Sequence, residues 1–376
     1  MKVFKTILSY LLGAFFFFLI IAARPQQHEP AKPGHSEEQV SIVEQEESHA
    51  EEEFVPGEFI FDHIGDAYEW HILTYKDFHL TIPLPVIIFS QTGGLNIFLF
   101  SKFHHGHEAY KGFKYAFSGE NSGKVVEILD DGSTALPLLD LSFTKNCVAI
   151  MVSIVLMLWA FVSVAKAYRR RSGKAPRGLQ NFVEPIIIFI RDEIAIPSIG
   201  KQKYEKFLPF LLTIFFFIWI NNMMGLIPIF PGGANVTGNI TVTMLLALFT
   251  FAITALNGNK NYWQHIFNPP GVPWWLKIPV PLMPIIEIVG MLTKPFVLMV
   301  RLFANITAGH IIALGFFSLI FIFGQMQVIM GYVVSPLTIA FTIFMTFLEL
   351  LVALIQAYVF TLLSSLYFGM ATEEHH

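Results

Sequence analysis

IPVPLMPIIEIVGMLTKPFVLMVRLFANITAGHIIALGFFSLIFIF, residues 278 to 323, is an apolar run of 46 residues whose ionisable side chains are Glu287, Lys294, Arg301 and His310. As a helix it would extend about 69 Å at 1.5 Å per residue, more than twice the ~30 Å thickness of a bilayer's hydrocarbon. A second run, Leu337 to Met370, has 34 residues and would extend about 51 Å. Neither fits an upright span, so each must tilt steeply or break. Gly324 to Pro336 offers a Gly, Gln and Pro turn between them. The economical arrangement is a long antiparallel helix hairpin lying obliquely in the membrane.

Working outward, the chain of 376 residues is 54% hydrophobic and 14% charged, more apolar than the ~45–50% of soluble domains. The net charge is only -4, and its segregation into an acidic front and later basic clusters speaks of topology and not of nucleic acid. The single cysteine, Cys147, excludes an internal disulfide framework and a cysteine-built metal site. These features predict an all-α polytopic membrane protein of about five membrane helical segments, with a small extracytoplasmic module at its amino end.

The chain divides into four regions. Residues 1–23 carry Lys2 and Lys5, then an apolar run ending at Ala22 and Ala23, the order of a signal peptide; an uncleaved anchor of the same orientation is the alternative. Residues 24–53 are rich in Glu, Pro and His and read as an acidic, disordered tether. Residues 54–140 mix aromatics with turn signals such as Thr92-Gly93-Gly94 and short apolar runs such as Leu84 to Phe89 and Leu95 to Phe100, as expected of a partly β-structured module. Residues 141–376 form a membrane ion-channel domain. Its first span, Cys147 to Ala165, is followed at once by Lys166, Arg169, Arg170 and Arg171, so it runs from outside to cytoplasm by the positive-inside rule. An interfacial helix is expected over 178–200, further spans over Phe207 to Phe230 and Ile240 to Leu256, and a cytoplasmic loop over Asn257 to Lys277.

Ionisable groups at membrane depth cost ~2.5–3.5 kcal/mol for Arg or Lys even on a lenient insertion scale. Glu287, Lys294 and Arg301 recur every seven residues and Asn305 lies four further on, so at 3.6 residues per turn they share one stripe, while His310 faces the other way. On the second run Glu349, Gln356 and Tyr367 share a face. Packed as a hairpin, Glu349 approaches His310 and Gln356 approaches Arg301. A carboxylate beside an imidazole can relay protons near neutral pH; arginine stays charged and acts as a fixed positive field. A carboxylate on a partner helix would then ionise on meeting Arg301, release its proton into one aqueous half-path, and be reprotonated from the other, where His310 and Glu349 sit. Structural readings stand beside these: a static Arg301–Glu287 bridge, a snorkelling Lys294, a core histidine at position 310 and Gln356 as interhelical glue.

The run Thr293-Lys294-Pro295 through Arg301-Leu302-Phe303-Ala304-Asn305, with Gln356-Ala357-Tyr358-Val359-Phe360 and Tyr367 to Glu374, resembles the a subunit of F-type rotary ATP synthases. The resemblance covers about residues 138 to 376. It implies an ion-translocating stator, without catalysis of its own and without a cofactor, that provides two proton half-channels beside a rotating c ring. A b-subunit stalk, the remaining synthase subunits and the lipid of a bacterial inner membrane are the implied partners. Carried over by position, Arg301 is the essential arginine, Asn305 and Gln356 are its polar companions, and Glu287, His310 and Glu349 are half-channel residues. Thr237 departs from the pattern, standing where many relatives have an aspartate near the outer mouth of the path.

Competing readings remain: a proton-coupled secondary transporter, against which the lack of an inverted repeat speaks, and an intramembrane hydrolase, for which no further ligand set is evident. His104, His105, His107 and Glu108 match no firm zinc spacing, and no phosphate-cradling GxxxxGK[ST] loop is present in the sequence.

Overall fold

The structure, a computed structural model, describes residues 55–373 apart from 76–77, 92, 105, 107, 118–120, 130–131, 171–174, 228–229 and 268–281. The signal and tether readings, two of the candidate metal histidines and much of the 257–277 loop fall outside the described residues.

The amino-terminal module begins with helix α1 (Pro56–Ile64), which has proline in its first turn, where the missing N–H has no helical partner to lose. Strands β1 (Glu69–Tyr75) and β2 (Phe78–Pro83) pair antiparallel, with Glu69 opposite Pro83. Strands β3 (Pro85–Ser90) and β4 (Gly94–Leu99) form a hairpin, Pro85 opposite Leu99, through a turn in which Gly93 N–H donates to Ser90 Oγ at 2.7 Å. Strands β5 (Phe113–Tyr115), β6 (Val125–Ile128) and β7 (Thr134–Ala135) make a third small sheet, and β8 (Leu139–Asp140) returns to pair with β3. Period-two burial along β3 turns Val86 and Ile88 inward. They meet Phe98, Phe100, Phe103, Phe113 and Val125 in a core of the module's own.

Two carboxyls secure the junction between the module and the membrane domain. Asp66 Oδ1 accepts the backbone N–H groups of Ala67 and Asn146, both at 3.1 Å, and Tyr68 Oη donates to Asp140 Oδ2 at 2.8 Å. Burial raises both carboxyls above their ordinary range. Trp70 leaves the module's core and packs into the helical core, edge-on to Phe230 at 5.1 Å.

Helix α2 (Lys145–Arg170) opens the membrane domain. Residues 178–200, expected as one interfacial helix, form α3 (Leu179–Phe189), a π turn (Ile190–Ala195) and the short α4 (Ile196–Ile199). Ile190, Ile194 and Ala195 are fully buried, so this segment packs against the bundle and does not merely lie on it. Helix α5 (Tyr204–Gly225) stops before the expected Phe230, at the Gly225–Pro228 breaker. Helix α6 (Ile240–Leu256) is opened by Asn239, whose Oδ1 accepts from Thr241 N–H and Val242 N–H. Helix α7 (Lys260–Phe267) is bent 104° from it.

The two long runs become α8 (Leu282–Met326) and α9 (Val328–Thr372), 45 residues each and unbroken. The turn is shorter than the sequence predicts. Only Gln327 is extended, and Gly324 and Pro336 both lie inside helices. Pro336 leaves Tyr332 O without its helical N–H; beside it Ser335 Oγ donates to Gly331 O at 2.6 Å and Thr338 Oγ1 to Val334 O at 3.2 Å. Gly331 allows the hairpin to close, since a Cβ there would lie 2.9 Å from Gly324 Cα. Among the described residues, α2, α5, α8 and α9 are long and apolar enough to cross a membrane, and α6 with α7 makes a fifth candidate.

Candidate functional site

Helix α8 is seated by Leu298, Leu302 and Ile306, buried at i, i+4 and i+8. That fixes the rotation of everything else on it. Arg301 and Asn305, one helical turn apart on the neighbouring stripe, are exposed, between small Ala304 and Ala308 and apolar Val297 and Ile312. Arg301 has no ion pair and no hydrogen bond among the described residues. The static bridge to Glu287 is therefore absent: Glu287 faces His265, with Oε2 3.9 Å from Nδ1.

Glu287 lies fourteen residues before Arg301, about 21 Å along the helix. It lines a cavity of about 300 Å³ with His265, Lys294, Tyr262 and Glu373. Lys294 lies 5.5 Å above the centre of the Tyr367 ring, a cation held against an aromatic face. This cavity sits at the end of the hairpin where α9 finishes.

His310 lies nine residues beyond Arg301, about 13.5 Å in the opposite direction. Its Nδ1 is 3.4 Å from Glu349 Oε1, and both side chains are largely buried. Glu349 Oε1 makes no hydrogen bond, so the two groups face each other at a separation that a small shift would convert into one. Gly309 makes the approach feasible, since a Cβ at that position would lie 2.7 Å from Glu349 Oε1. Two cavities adjoin the pair. One of about 660 Å³ reaches towards the module and includes His63, Lys145, Asn235 and Thr346. The other, of about 340 Å³, adds Asn222, Asn305 and Gln356. Gln356 is buried; it faces Asn305 across that cavity and makes no hydrogen bond to Arg301 among the described residues.

The ionisable groups thus divide into two sets, one at the end of the hairpin where α9 finishes and one near the middle of both helices. Arg301 lines none of these cavities and lies between them along α8. Asn222, in the lining of the cavity of about 340 Å³, accepts from Thr237 Oγ1 at 2.5 Å and donates to Ala353 O at 3.3 Å, which joins α5 to α9. His63, Lys145, His265 and Glu373 were not identifiable from spacing, because each reaches its cavity from a different element. No cluster that could hold a metal is found among the described residues; His104 contacts Glu108 at 3.6 Å on the surface.

These features define a multi-pass membrane protein with cavities lined by ionisable side chains on either side, along α8, of an exposed arginine. Residues 147–369 match the family described as ATP synthase A chain, and residues 59–141 match one described as a domain of unknown function. The chain is 46% identical over 240 residues to ATP synthase subunit a 2 of Chlorobaculum tepidum, covering 62% of this chain and 64% of that protein. It is 41% identical over 244 residues to ATP synthase subunit a of Chloroherpeton thalassium, covering 63% and 69%. Identity to ATP synthase subunit a of Chlorobium phaeobacteroides strain DSM 266 is 39% over 295 residues, covering 72% and 82%. The chain belongs to the ATP synthase A chain family.

Proposed function

We propose that the chain is the ion-translocating stator of an F-type ATP synthase, with Arg301 separating two proton half-channels beside a rotating c ring. The observation that carries this reading is the exposed, unpaired Arg301 between two sets of cavities. An uncompensated guanidinium on an apolar face is costly, and a carboxylate carried past on a partner helix would compensate it. That carboxylate, arriving protonated through lipid, ionises beside the cation and loses its proton into one vestibule. Having passed, it is reprotonated from the other. Because arginine does not give up its proton, it cannot pass protons directly between the two. One charge falling through ~100 mV supplies ~2.3 kcal/mol.

The basic end of α2, Arg169 and Arg170, supports a cytoplasmic position for that end in a bacterial inner membrane. The Glu287 cavity is then the cytoplasmic vestibule, the His310–Glu349 cavity is the outer one, and module 54–140 is extracytoplasmic. Glu287, His310 and Glu349 move protons within their vestibules, with Asn305 and Gln356 as polar companions of the cation. ATP chemistry belongs to partner subunits, and a b-subunit stalk holds the chain against rotation. The uncovered faces of α8 and α9 speak for a partner ring and against a lone secondary transporter.

The test is Arg301→Ala in the whole complex. Inverted vesicles carrying it are expected to contain a normal amount of assembled complex and to show no ATP-driven proton pumping; normal coupled pumping would refute the role.

A further inference from the structure

We propose that the amino-terminal module forms the mouth of the outer half-channel and that His63 on α1 is its first proton-accepting group, an inference that rests on the reading of Arg301 above. Phe59 and His63 lie four residues apart on one face of α1, with ring centres 4.8 Å apart. That face is turned to α8, where Phe59 lies 6.4 Å from Phe321. The same two residues line the 660 Å³ cavity that contains His310 and Glu349. The module therefore contributes a wall, and His63, exposed at its edge, contributes a titratable side chain.

The other polar groups around this mouth are less able to take a proton from outside. Lys145 heads α2, near the Asp66 carboxyl, and Asp66 is occupied by the N–H groups of Ala67 and Asn146. Asn235 and Thr346 do not ionise in the working pH range. Thr237, between α5 and α6, is 1% exposed and donates to Asn222. His310 and Glu349 are the destination. An imidazole can accept a proton on one ring nitrogen and release one from the other. His63 thus passes a proton from outside water into water of the cavity and returns to its neutral form, with His310 and Glu349 next in line.

The test uses the intact complex in cells and in vesicles made from them. His63→Gln, which cannot carry a proton, is expected to lower ATP-driven pumping roughly threefold to tenfold at unchanged complex abundance, and His63→Glu to stay within about twofold of the parent. His63→Cys, treated on whole cells with a membrane-impermeant methanethiosulfonate, is expected to be labelled and to lose pumping only after labelling. The parent, whose one cysteine, Cys147, is buried, is expected to be unaffected. Because unlabelled and labelled complex come from one preparation, the loss cannot be a folding defect. The proposal is overturned if His63→Gln pumps at the parent rate, if His63→Glu is as slow as His63→Gln, or if the cysteine is unlabelled or labelled without effect. If Arg301→Ala is inactive while the His63 variants behave as the parent, this inference alone fails; if Arg301→Ala pumps normally, the reading beneath it fails.

Discussion

Helix α5 and the hairpin of α8 and α9 are similarly apolar yet disposed in opposite ways. In the most apolar 18-residue stretch of α5, 72% of residues are buried inside the chain, against 17% in the corresponding stretch of each hairpin helix. Phe207, Phe210, Phe215, Phe216 and Phe217 all pack inward from α5, and Phe207 stacks on Phe368 with ring centres 4.9 Å apart. Phe344, Phe347 and Leu351 of α9 are exposed. Lipid can solvate such an apolar face at no penalty, so exposure there says little. Exposure of Arg301 and Asn305 on α8 is another matter, because lipid cannot satisfy them. The packed half is a scaffold, and the open half is a surface for a moving partner.

Substitutions in the two halves should separate loss of function from loss of protein. After Arg301→Ala, the largest effect is expected at Gly309→Leu, whose side chain would displace Glu349 from His310. Pumping should fall about tenfold or more, on the scale of lost proton transfer, while the amount of complex in the membrane stays near normal; unchanged pumping would show that this contact is not used. Next is the exchange His310→Glu with Glu349→His. Each single change should depress pumping more than the pair does, because the pair keeps one acid and one imidazole face to face; no recovery in the double variant would count against their coupling. The smallest effect on pumping per complex is expected at Gly369→Ala. Its Cβ would clash with Ser198 O, where α9 presses on α4, and such overpacking costs about 1–3 kcal/mol. Immunoblots should show less subunit in the membrane, with each remaining complex pumping normally. A fall in turnover at full abundance would break the division between scaffold and working surface.

The long hairpin was legible because an apolar run of 46 residues has few places to go in a hydrocarbon layer ~30 Å thick. Span α6 was legible to its ends because Asn239 and Asn257 bracket it. The phase argument placed Arg301 and His310 on different sides of α8, and the structure has Arg301 exposed and His310 against Glu349. The turn was not legible because Gly324 and Pro336 carry the usual breaker meaning in water, whereas a membrane helix tolerates both in its interior. A shared face fixes rotation but not which residue of a neighbouring helix stands opposite: Gln356 lines a cavity with Asn305, one turn from Arg301, and makes no hydrogen bond to Arg301 among the described residues. His63, Lys145 and His265 carried no pattern at all; only the folding of α1, α2 and α7 against the hairpin brings them to the cavities.

Whether the two vestibules stay separate is measured most directly by thiol accessibility along the hairpin in the assembled complex. Single cysteines at Ala313 and Thr346, which line the outer cavity, and at Gly290 and Met291, which line the cytoplasmic one, would be treated with a membrane-impermeant reagent from each side in turn. Positions 313 and 346 are expected to react only from outside, and positions 290 and 291 only from the cytoplasm. Reaction of any one of them from both sides would mean a continuous aqueous passage beside Arg301, and the arginine could not then be a barrier between half-channels.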